Sequence, residues 1–398
     1  GGGAGALLHA ILKIVATMYI HLLPSNKCTS NVWVHVTLLG APRASAMYRR
    51  IPMICCAQAS PALGRHACQT FIGLRRASTS VTAASTTSES AAQHLLVVDA
   101  LPWIYRCHFG FKNTRLRNSS GVDTSISFGV MTYLLNMLDM EPAPTHMAVV
   151  FDAGGMTFRH EMFSAYKSQR PPTPPEIIEA LPQVQGILQA MGLPILRESG
   201  VEADDVVGAL AVRAHAAGMS TSIASPDKDF QQLLRPGLDL IRPDSKQPGQ
   251  VKLYTEQDFA TDYEGSIAPS QFIDILALAG DASDGVPGVR GVGPKIALQL
   301  VSQYGDVEGA IAHSGEIKRK NVREVLSSAE GAATARLSRE LVTIRLDLEA
   351  PGLDVPLENF RLPSPAQLAR GAAAPFGELE FQSLMARLES RALAAPSG

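Results

Sequence analysis

Nine acidic residues in five short clusters are the part of this sequence whose types and spacing could do chemistry. Carboxylates are the oxygen ligands that hard divalent cations such as Mg²⁺ and Mn²⁺ prefer. Gathered in one cleft, they would repel each other strongly unless such cations lay among them. Because two or more divalent cations in one cleft can cleave a phosphodiester bond, the sequence predicts a multi-metal hydrolytic site. The nine residues are Asp99, Asp152, Glu202, Asp204, Asp205, Asp227, Asp229, Asp281 and Asp284.

The elements around these clusters predict how they would meet. Apolar runs precede four of the clusters: LLVV, MAVVF, TSIA and FIDILALAG. In an open parallel sheet the carboxyl ends of the strands converge on one crevice, so acids placed there would be neighbours in space. From His94 onward, strand-like runs alternate with helical periodicity, as in residues 176–191. This alternation predicts an α/β fold with a mainly parallel central sheet flanked by helices.

Each cluster also has a simpler explanation when it is taken alone. The acids at 202–205 lie where a helix is expected to begin, and acids there complement the helix dipole. The pair at 227 and 229 would suit a solvated turn, and the pair at 281 and 284 would suit an Asx-type turn. The five clusters together favour a metal site over these separate explanations.

Five sequence blocks carry a family resemblance. They are VVDALPWIYRCHF, VVFDAGGMTFRHEMFSAYKSQRPPTP, GVEADDVVG, SPDKDFQQLL and GDASDGVPGVRGVGPKIALQL. Their order and spacing resemble the 5′-nuclease domain of bacterial DNA polymerase I, a group related to flap endonucleases and phage 5′-exonucleases. The resemblance runs from about His94 to about Leu388. It implies a PIN-like or resolvase-like core, a helical arch and a C-terminal helix-hairpin-helix subdomain.

The resemblance also implies a function. It points to a structure-specific 5′-3′ exonuclease or flap endonuclease that hydrolyses DNA and RNA primers in replication and repair. The implied partner is DNA with 5′ flaps, nicks or RNA primers, bound by a monomer without membrane contact. The implied cofactors are two or more Mg²⁺ ions, for which Mn²⁺ can substitute. One metal would be held by Asp99, Asp152, Glu202, Asp204 and Asp205, and the other by Asp227, Asp229, Asp281 and Asp284.

Basic and aromatic residues are interleaved between Thr157 and Arg170. This composition suits a single-stranded 5′ end, because aromatic rings stack on bases and cations hold phosphates. An amphipathic helix with a basic outer face is the simpler interpretation. By resemblance the segment forms the helical arch, in which Lys167 and Arg159 are catalytic and orient the scissile phosphate. Tyr166 and Arg170 are then expected to contact DNA.

The segment VPGVRGVGPKIALQL places a glycine-rich turn between two predicted helices, at about 271–279 and 294–301. Proline suits the first turn of a helix, and glycine lets backbone N–H groups approach a phosphate closely. The segment resembles a helix-hairpin-helix that grips duplex DNA without reading its sequence, with K⁺ on the hairpin carbonyls. The residues expected to contact DNA here are Gly288, Arg290, Gly291, Gly293 and Lys295.

Two residues depart from the family pattern. Pro226 stands where Gly or Ala is usual, which would shift the backbone that carries Asp227. Gly285 replaces a common Asn and makes its turn more flexible. Both changes leave the carboxylates in place, so they predict lower efficiency at worst.

Two other classes of protein compete with the nuclease. One is a catalytically weak or inactive DNA-binding protein of the same fold, which predicts missing acids, whereas all nine are present. The other is a Rossmann-type nucleotide enzyme, which needs a G-x-G-x-x-G turn after the first strand. The sequence has DALPWIY at that point, which excludes it.

The first 90 residues differ in composition from the rest. They carry eight Lys and Arg against one acid and are rich in Ser, Thr and Ala. This composition predicts a mitochondrial or chloroplast transit peptide, or a presequence that is disordered or partly untranslated if Met47 or Met53 is the start. The apolar run at 6–23 is interrupted by Lys13 and two histidines, which argues against a transmembrane helix. Four of the five cysteines also lie here, so no disulfide or zinc framework is expected in the folded part.

The sequence therefore predicts four units. They are a presequence (1–90), a metal-dependent α/β core with the arch (91–264), a helix-hairpin-helix subdomain (265–345) and a closing segment (346–398). Residues after 90 carry a formal charge of −9, which the nine clustered acids account for. Because the resemblance ends near Leu388, a stand-alone nuclease is expected, working with a separate organellar DNA polymerase.

Overall fold

A six-stranded sheet forms the centre of the computed structural model, which describes residues 93–394. The predicted presequence, the apolar run within it and four of the cysteines lie outside the described residues. The strands follow the order β3-β2-β1-β4-β5-β6 and are parallel except for β6, which confirms the predicted fold class. Their bounds are β1 (His94–Asp99), β2 (His146–Val150), β3 (Ile195–Leu196), β4 (Ser220–Ala224), β5 (Leu238–Pro243) and β6 (Val251–Tyr254).

Helices cover both faces of the sheet, so the central strands are buried on each side. All six residues of β1 are buried, as expected for an apolar run in a parallel sheet. Alternate residues of β1 and β2 contribute to two separate cores. One core is completed by α1 (Ala100–Gly110), α2 (Ser125–Leu138), α4 (Pro175–Ala190), α12 (Pro365–Glu378) and α13 (Gln382–Ala394). The other contains α5 (Ala203–Ala216) and the helices that follow the sheet.

The chain is helical after β6. Its helices there are α6 (Glu256–Asp262), α7 (Phe272–Ala279), α8 (Pro294–Tyr304), α9 (Val307–Ala312), α10 (Lys320–Ser327) and α11 (Ala329–Val342). The helices predicted at 271–279 and 294–301 correspond to α7 and α8, and α8 continues three residues further than predicted. A glycine-rich loop joins α7 to α8. Among residues 93–394, no helix is long and apolar enough to cross a membrane.

The segment between β2 and α4 differs from the expected helical arch. It contains one helix of five residues, α3 (Phe158–Met162), followed by turns. Lys167 adopts a left-handed backbone conformation with φ of 55°, which a continuing helix does not tolerate. The sequence RPPTPP at 170–175 then prevents a helix until α4 begins, because proline restricts its own backbone and that of the preceding residue.

A buried arginine ties three distant parts of the chain together. Arg159 of α3 is 3% exposed and pairs with Asp205 of α5, which is fully buried. Its Nη1 and Nη2 lie 2.6 and 2.8 Å from the two oxygens of Asp205. The other N–H groups reach the Leu341 and Thr343 carbonyls and Glu202. All five guanidinium N–H groups are therefore used within the protein.

We expect Arg159→Met to lower the free energy of unfolding by about 3–5 kcal/mol, because it leaves the Asp205 carboxylate buried without its partner. Adding Asp205→Leu should recover much of this loss, since an apolar pair can replace a buried ion pair. Urea unfolding in EDTA measures both effects. Wild-type stability with reduced phosphodiester cleavage in the single variant would instead favour the phosphate contact implied by the resemblance.

Candidate active site

Three of the predicted acids lie at the carboxyl edge of the sheet. Asp99 is the last residue of β1, Asp152 lies two residues beyond β2, and Asp227 lies three beyond β4. The charges of Asp152 and Asp227 both act on the Asp99 carboxyl, so the three are neighbours. Asp99 is buried and accepts a hydrogen bond of 2.8 Å from Ser225 Oγ. The convergence expected from a parallel sheet is therefore present.

Other elements bring their acids to the same place. A small cavity of about 20 Å³ is lined by Glu202, Asp204, Asp227, Asp229, Asp281 and Asp284. The first two lie at the start of α5, the middle two follow β4, and the last two lie in the loop after α7. Acids from both halves of the described chain therefore share one cavity.

Burial and mutual repulsion disfavour the charged form of several of these carboxyls. Burial, then the charges of Asp99 and Asp227, raise the pKa of Asp204 well above its usual value. Burial, then the charges of Asp227 and Asp281, raise the pKa of Asp229 to about 7. The Oδ1 atom of Asp229 is buried and has no hydrogen-bond partner. Carboxyl groups with pKa values perturbed in this way are characteristic of functional sites.

Basic side chains neutralise part of this charge. Lys167 Nζ lies 3.0 Å from Glu202 Oε1, and Arg170 Nη2 lies 2.5 Å from Asp284 Oδ1. Lys228 Nζ lies 3.5 Å from Asp281 Oδ2. Burial opposes the ionisation of Asp281, but hydrogen bonds from Ser283 and the charge of Lys228 outweigh it, so its pKa is lowered. These pairs divide the acids into charge-compensated and uncompensated groups.

The chemistry of the donor set fits a divalent cation. Six carboxylates line the cavity, and the Oδ1 atom of Asp229 has no hydrogen-bond partner and could serve as a ligand. The ligand geometry is not preformed. Within residues 93–394, no three His, Cys, Asp or Glu side chains are already close enough together to hold a metal ion. The lysine and arginine pairs occupy carboxylate oxygens that a cation would need.

Three expected site residues have different surroundings from those predicted. Both oxygens of Asp205 are taken by Arg159, and Oδ1 also accepts the Arg345 backbone N–H, so Asp205 has a structural position behind the cavity. Arg159 has no free N–H for a phosphate. Tyr166 is 4% exposed and donates its hydroxyl to Glu202, so its ring is not available to stack on a base.

The loop between α7 and α8 also separates its predicted residues. Gly288 is buried with φ of 62°, and its N–H donates to Ser338 Oγ at 3.0 Å. A Cβ at Gly288 would lie 2.5 Å from the Gly280 nitrogen, so packing of the two backbones requires this glycine. Gly288 is therefore structural and is not a DNA contact. Arg290, Gly291 and Lys295 are exposed, whereas Gly293 is half-buried and caps α8.

Several residues near these sites were not identified from the sequence. Ser225 contacts Asp99 and also accepts the Asp227 backbone N–H, which fixes the turn after β4. Three exposed basic residues at 318–320 lie at the start of α10, with Lys320 as its first residue. The next residue, Asn321, packs against Gly291, since a Cβ on that glycine would lie 2.5 Å from Asn321 Nδ2. Three consecutive basic residues were the signal available in the sequence.

Comparison with known proteins agrees with this geometry. The N-terminal resolvase-like domain of the 5′-3′ exonuclease family matches residues 94–264, and its C-terminal SAM-fold domain matches residues 267–367. DNA polymerase I of Bacillus caldotenax is 36% identical over 296 residues, which cover 74% of this chain and 32% of that protein. DNA polymerase I of Bacillus subtilis is 34% identical over the same length. The chain spans about a third of the length of these relatives.

Solved structures agree on the fold. The bacteriophage T5 flap endonuclease, in a pseudo-enzyme–product complex with DNA and metal ions, is 19% identical to this chain and has a TM-score of 0.50. The match covers 75% of this chain and 99% of that chain. With both of its domains matched in order over the core that carries the acidic cavity, the chain belongs to the 5′-3′ exonuclease family of nucleases.

Proposed function

We propose that this chain is a divalent-metal-dependent 5′-3′ exonuclease and flap endonuclease that hydrolyses phosphodiester bonds near a 5′ end. The observation that carries the proposal is the convergence of six acids from both matched domains on one cavity. Divalent cations bound among such donors act as Lewis acids and lower the pKa of water to a useful range. Mg²⁺ is the cation we propose, with Mn²⁺ as a substitute.

The acids divide by position into two groups of ligands. We propose that Asp99, Asp152, Glu202 and Asp204 hold one cation, and that Asp227, Asp229, Asp281 and Asp284 hold the other. Asp205 is assigned a positioning task, because Arg159 and the Arg345 N–H hold both of its oxygens. By fixing the first turn of α5, it sets where Glu202 and Asp204 stand.

Lys167 is the proposed phosphate-positioning residue. Its Nζ lies 3.0 Å from Glu202 at the edge of the cavity, and its side chain is partly exposed. Its backbone N–H donates to the Asp284 carbonyl at 2.8 Å, which fixes the turn that carries it. A cation at this point can hold a negatively charged phosphate against the acidic site.

Duplex binding is assigned to the α7–α8 segment, which we propose acts as a helix-hairpin-helix with K⁺ on its carbonyls. Arg290 and Lys295 are exposed beside the turn, and the basic residues at 318–320 extend the same positively charged surface. Such contacts to phosphates bind duplex DNA without reading its sequence.

The biological setting is proposed from composition and from the relatives. We propose that the chain removes RNA primers and 5′ flaps during organellar replication and repair, acting as a monomer together with a DNA polymerase, since the relatives that it matches are DNA polymerases. The acid-poor, Ser- and Ala-rich first 90 residues support import into mitochondria or chloroplasts.

The first test concerns metal-dependent cleavage. Asp204→Asn and Asp281→Asn should each lower Mg²⁺-dependent cleavage of a 5′-flap substrate by orders of magnitude, because each removes a charged ligand. DNA affinity in Ca²⁺ should change little. Asp347→Asn, an exposed acid outside the cavity, is the matched control. Unchanged turnover in both site variants would contradict the two-metal proposal and favour an inactive DNA-binding protein.

A second test separates binding from positioning. Arg290→Ala and Lys295→Ala should weaken binding of flap and plain duplex alike, and each should reduce the salt dependence by about one charge. Lys167→Ala should instead reduce single-turnover cleavage far more than affinity, since misplacement of a reacting group by about 1 Å can cost roughly a hundredfold. Equal losses of rate and affinity would remove Lys167 from the catalytic residues.

A third test addresses localisation. Fused to a fluorescent protein, residues 47–92 should direct it to mitochondria or plastids, because basic, acid-poor segments are typical of imported precursors. A variant with the arginines of this segment changed to glutamate is the control and should remain cytosolic. Diffuse fluorescence of the unaltered fusion would contradict organellar import.

A further inference from the structure

The strap, residues 163–170, borders the acidic cavity through Tyr166 and is held by carboxylates that a metal would also bind. Lys167 Nζ contacts Glu202 at 3.0 Å, and the Tyr166 hydroxyl donates to the same carboxylate at 3.1 Å. Arg170 bonds Asp284 Oδ1 through Nε at 3.0 Å and Nη2 at 2.5 Å. Every one of these side-chain contacts ends on a carboxylate of the proposed metal site.

Lys228 makes a fourth contact of the same kind from another direction. It stands between Asp227 and Asp229 and reaches Asp281 at 3.5 Å. Asp281 and Asp284, the two acids contributed by the second domain, are thus both paired with a cationic side chain. Asp229 on the same side of the cavity has a buried oxygen without a partner.

The cavity has little room while the strap is in this position. Its volume of about 20 Å³ is sufficient for roughly one water molecule. Two hydrated divalent cations need more room than this, so the strap must move outward for them to enter. The basic side chains that would separate from the carboxylates are those of Lys167, Arg170 and Lys228.

We propose that Arg170 and Lys228 are built-in counter-ions of the second metal position, and that divalent cations load there by displacing them and releasing the strap. This inference rests on the proposed function. Competition for the same oxygens means that release of the strap and metal binding favour each other to an equal extent. Once released, Arg170 and Lys167 are free to bind phosphates, so metal loading and binding of a nucleic acid 5′ end reinforce each other.

Mn²⁺ binding without DNA tests the proposal on the full-length chain. Free Mn²⁺ measured by electron paramagnetic resonance gives the affinity of each site without any cleavage. Arg170→Met and Lys228→Met should each tighten the weaker site by about fivefold or more, the lower end of typical coupling between sites. Lys228 is exposed, so its variant does not depend on refolding of the strap.

The matched control is Arg361→Met. Arg361 is exposed and pairs with an exposed carboxylate, Glu358, and its segment bridges to His146 at the start of β2. The opposite end of β2 leads to Asp152, six residues and therefore about 20 Å away. That distance exceeds the Debye length of about 8 Å at physiological salt, so loss of the charge should leave Mn²⁺ affinity unchanged.

Hydrogen exchange supplies the second measurement. The Lys167 amide donates to the Asp284 carbonyl at 2.8 Å, so its exchange should be slow without metal and should accelerate when Mn²⁺ is added. In Arg170→Met it should exchange quickly from the start. Metal-independent exchange in the wild-type chain, or equal Mn²⁺ affinity in all three variants and the wild type, would overturn the proposal. If the wild type bound no Mn²⁺, the proposed function would fail as well.

Discussion

Repulsion between carboxylates gathered at one edge of the sheet is the constraint on which the other features of the site depend. A parallel sheet brings Asp99, Asp152 and Asp227 together, and burial of Asp99 increases the cost of its charge. The molecule offsets this cost with two kinds of cation. Arg159 is buried and fully bonded, so it is a fixed part of the structure. The cations over the cavity are partly exposed and can change partners. Carboxylate charge is therefore neutralised permanently by Arg159 at the start of α5, and reversibly by the basic side chains at the cavity.

The fold and the convergence of the acids at one edge of the sheet could be predicted from the sequence, because both depend on local patterns. Apolar runs predict buried strands, and the ends of parallel strands converge whatever the loops do. The separate roles of Asp204 and Asp205 could not be predicted in this way. Adjacent residues on a helix point about 100° apart, so one faces the cavity and the other faces Arg159. Whether Asp204 or Asp205 faces Arg159 depends on the path of α3 and of the segment after α11. No local sequence pattern determines that path.

The glycine-rich loop shows a second limit of prediction. Glycine suits both close approach to a phosphate and close approach to another backbone. At Gly288 the structure uses the second property, since Gly280 lies directly against it. The charged residues beside it, Arg290 and Lys295, remain exposed as expected. The predicted helical arch is absent although its basic and aromatic composition is present: α3 ends at Met162, where Phe163 becomes extended, and Lys167 then adopts a left-handed conformation.

The two edges of the sheet have a consequence for the behaviour of the protein at high concentration. The β3 edge has two residues, and the β6 edge has four, with Lys252 exposed on it. An unpaired strand is a template on which another chain can add a strand, and short strands and edge lysines reduce that tendency. The sheet therefore offers few backbone groups for edge-to-edge association, and the apolar strand β1, six residues long, is kept in its interior.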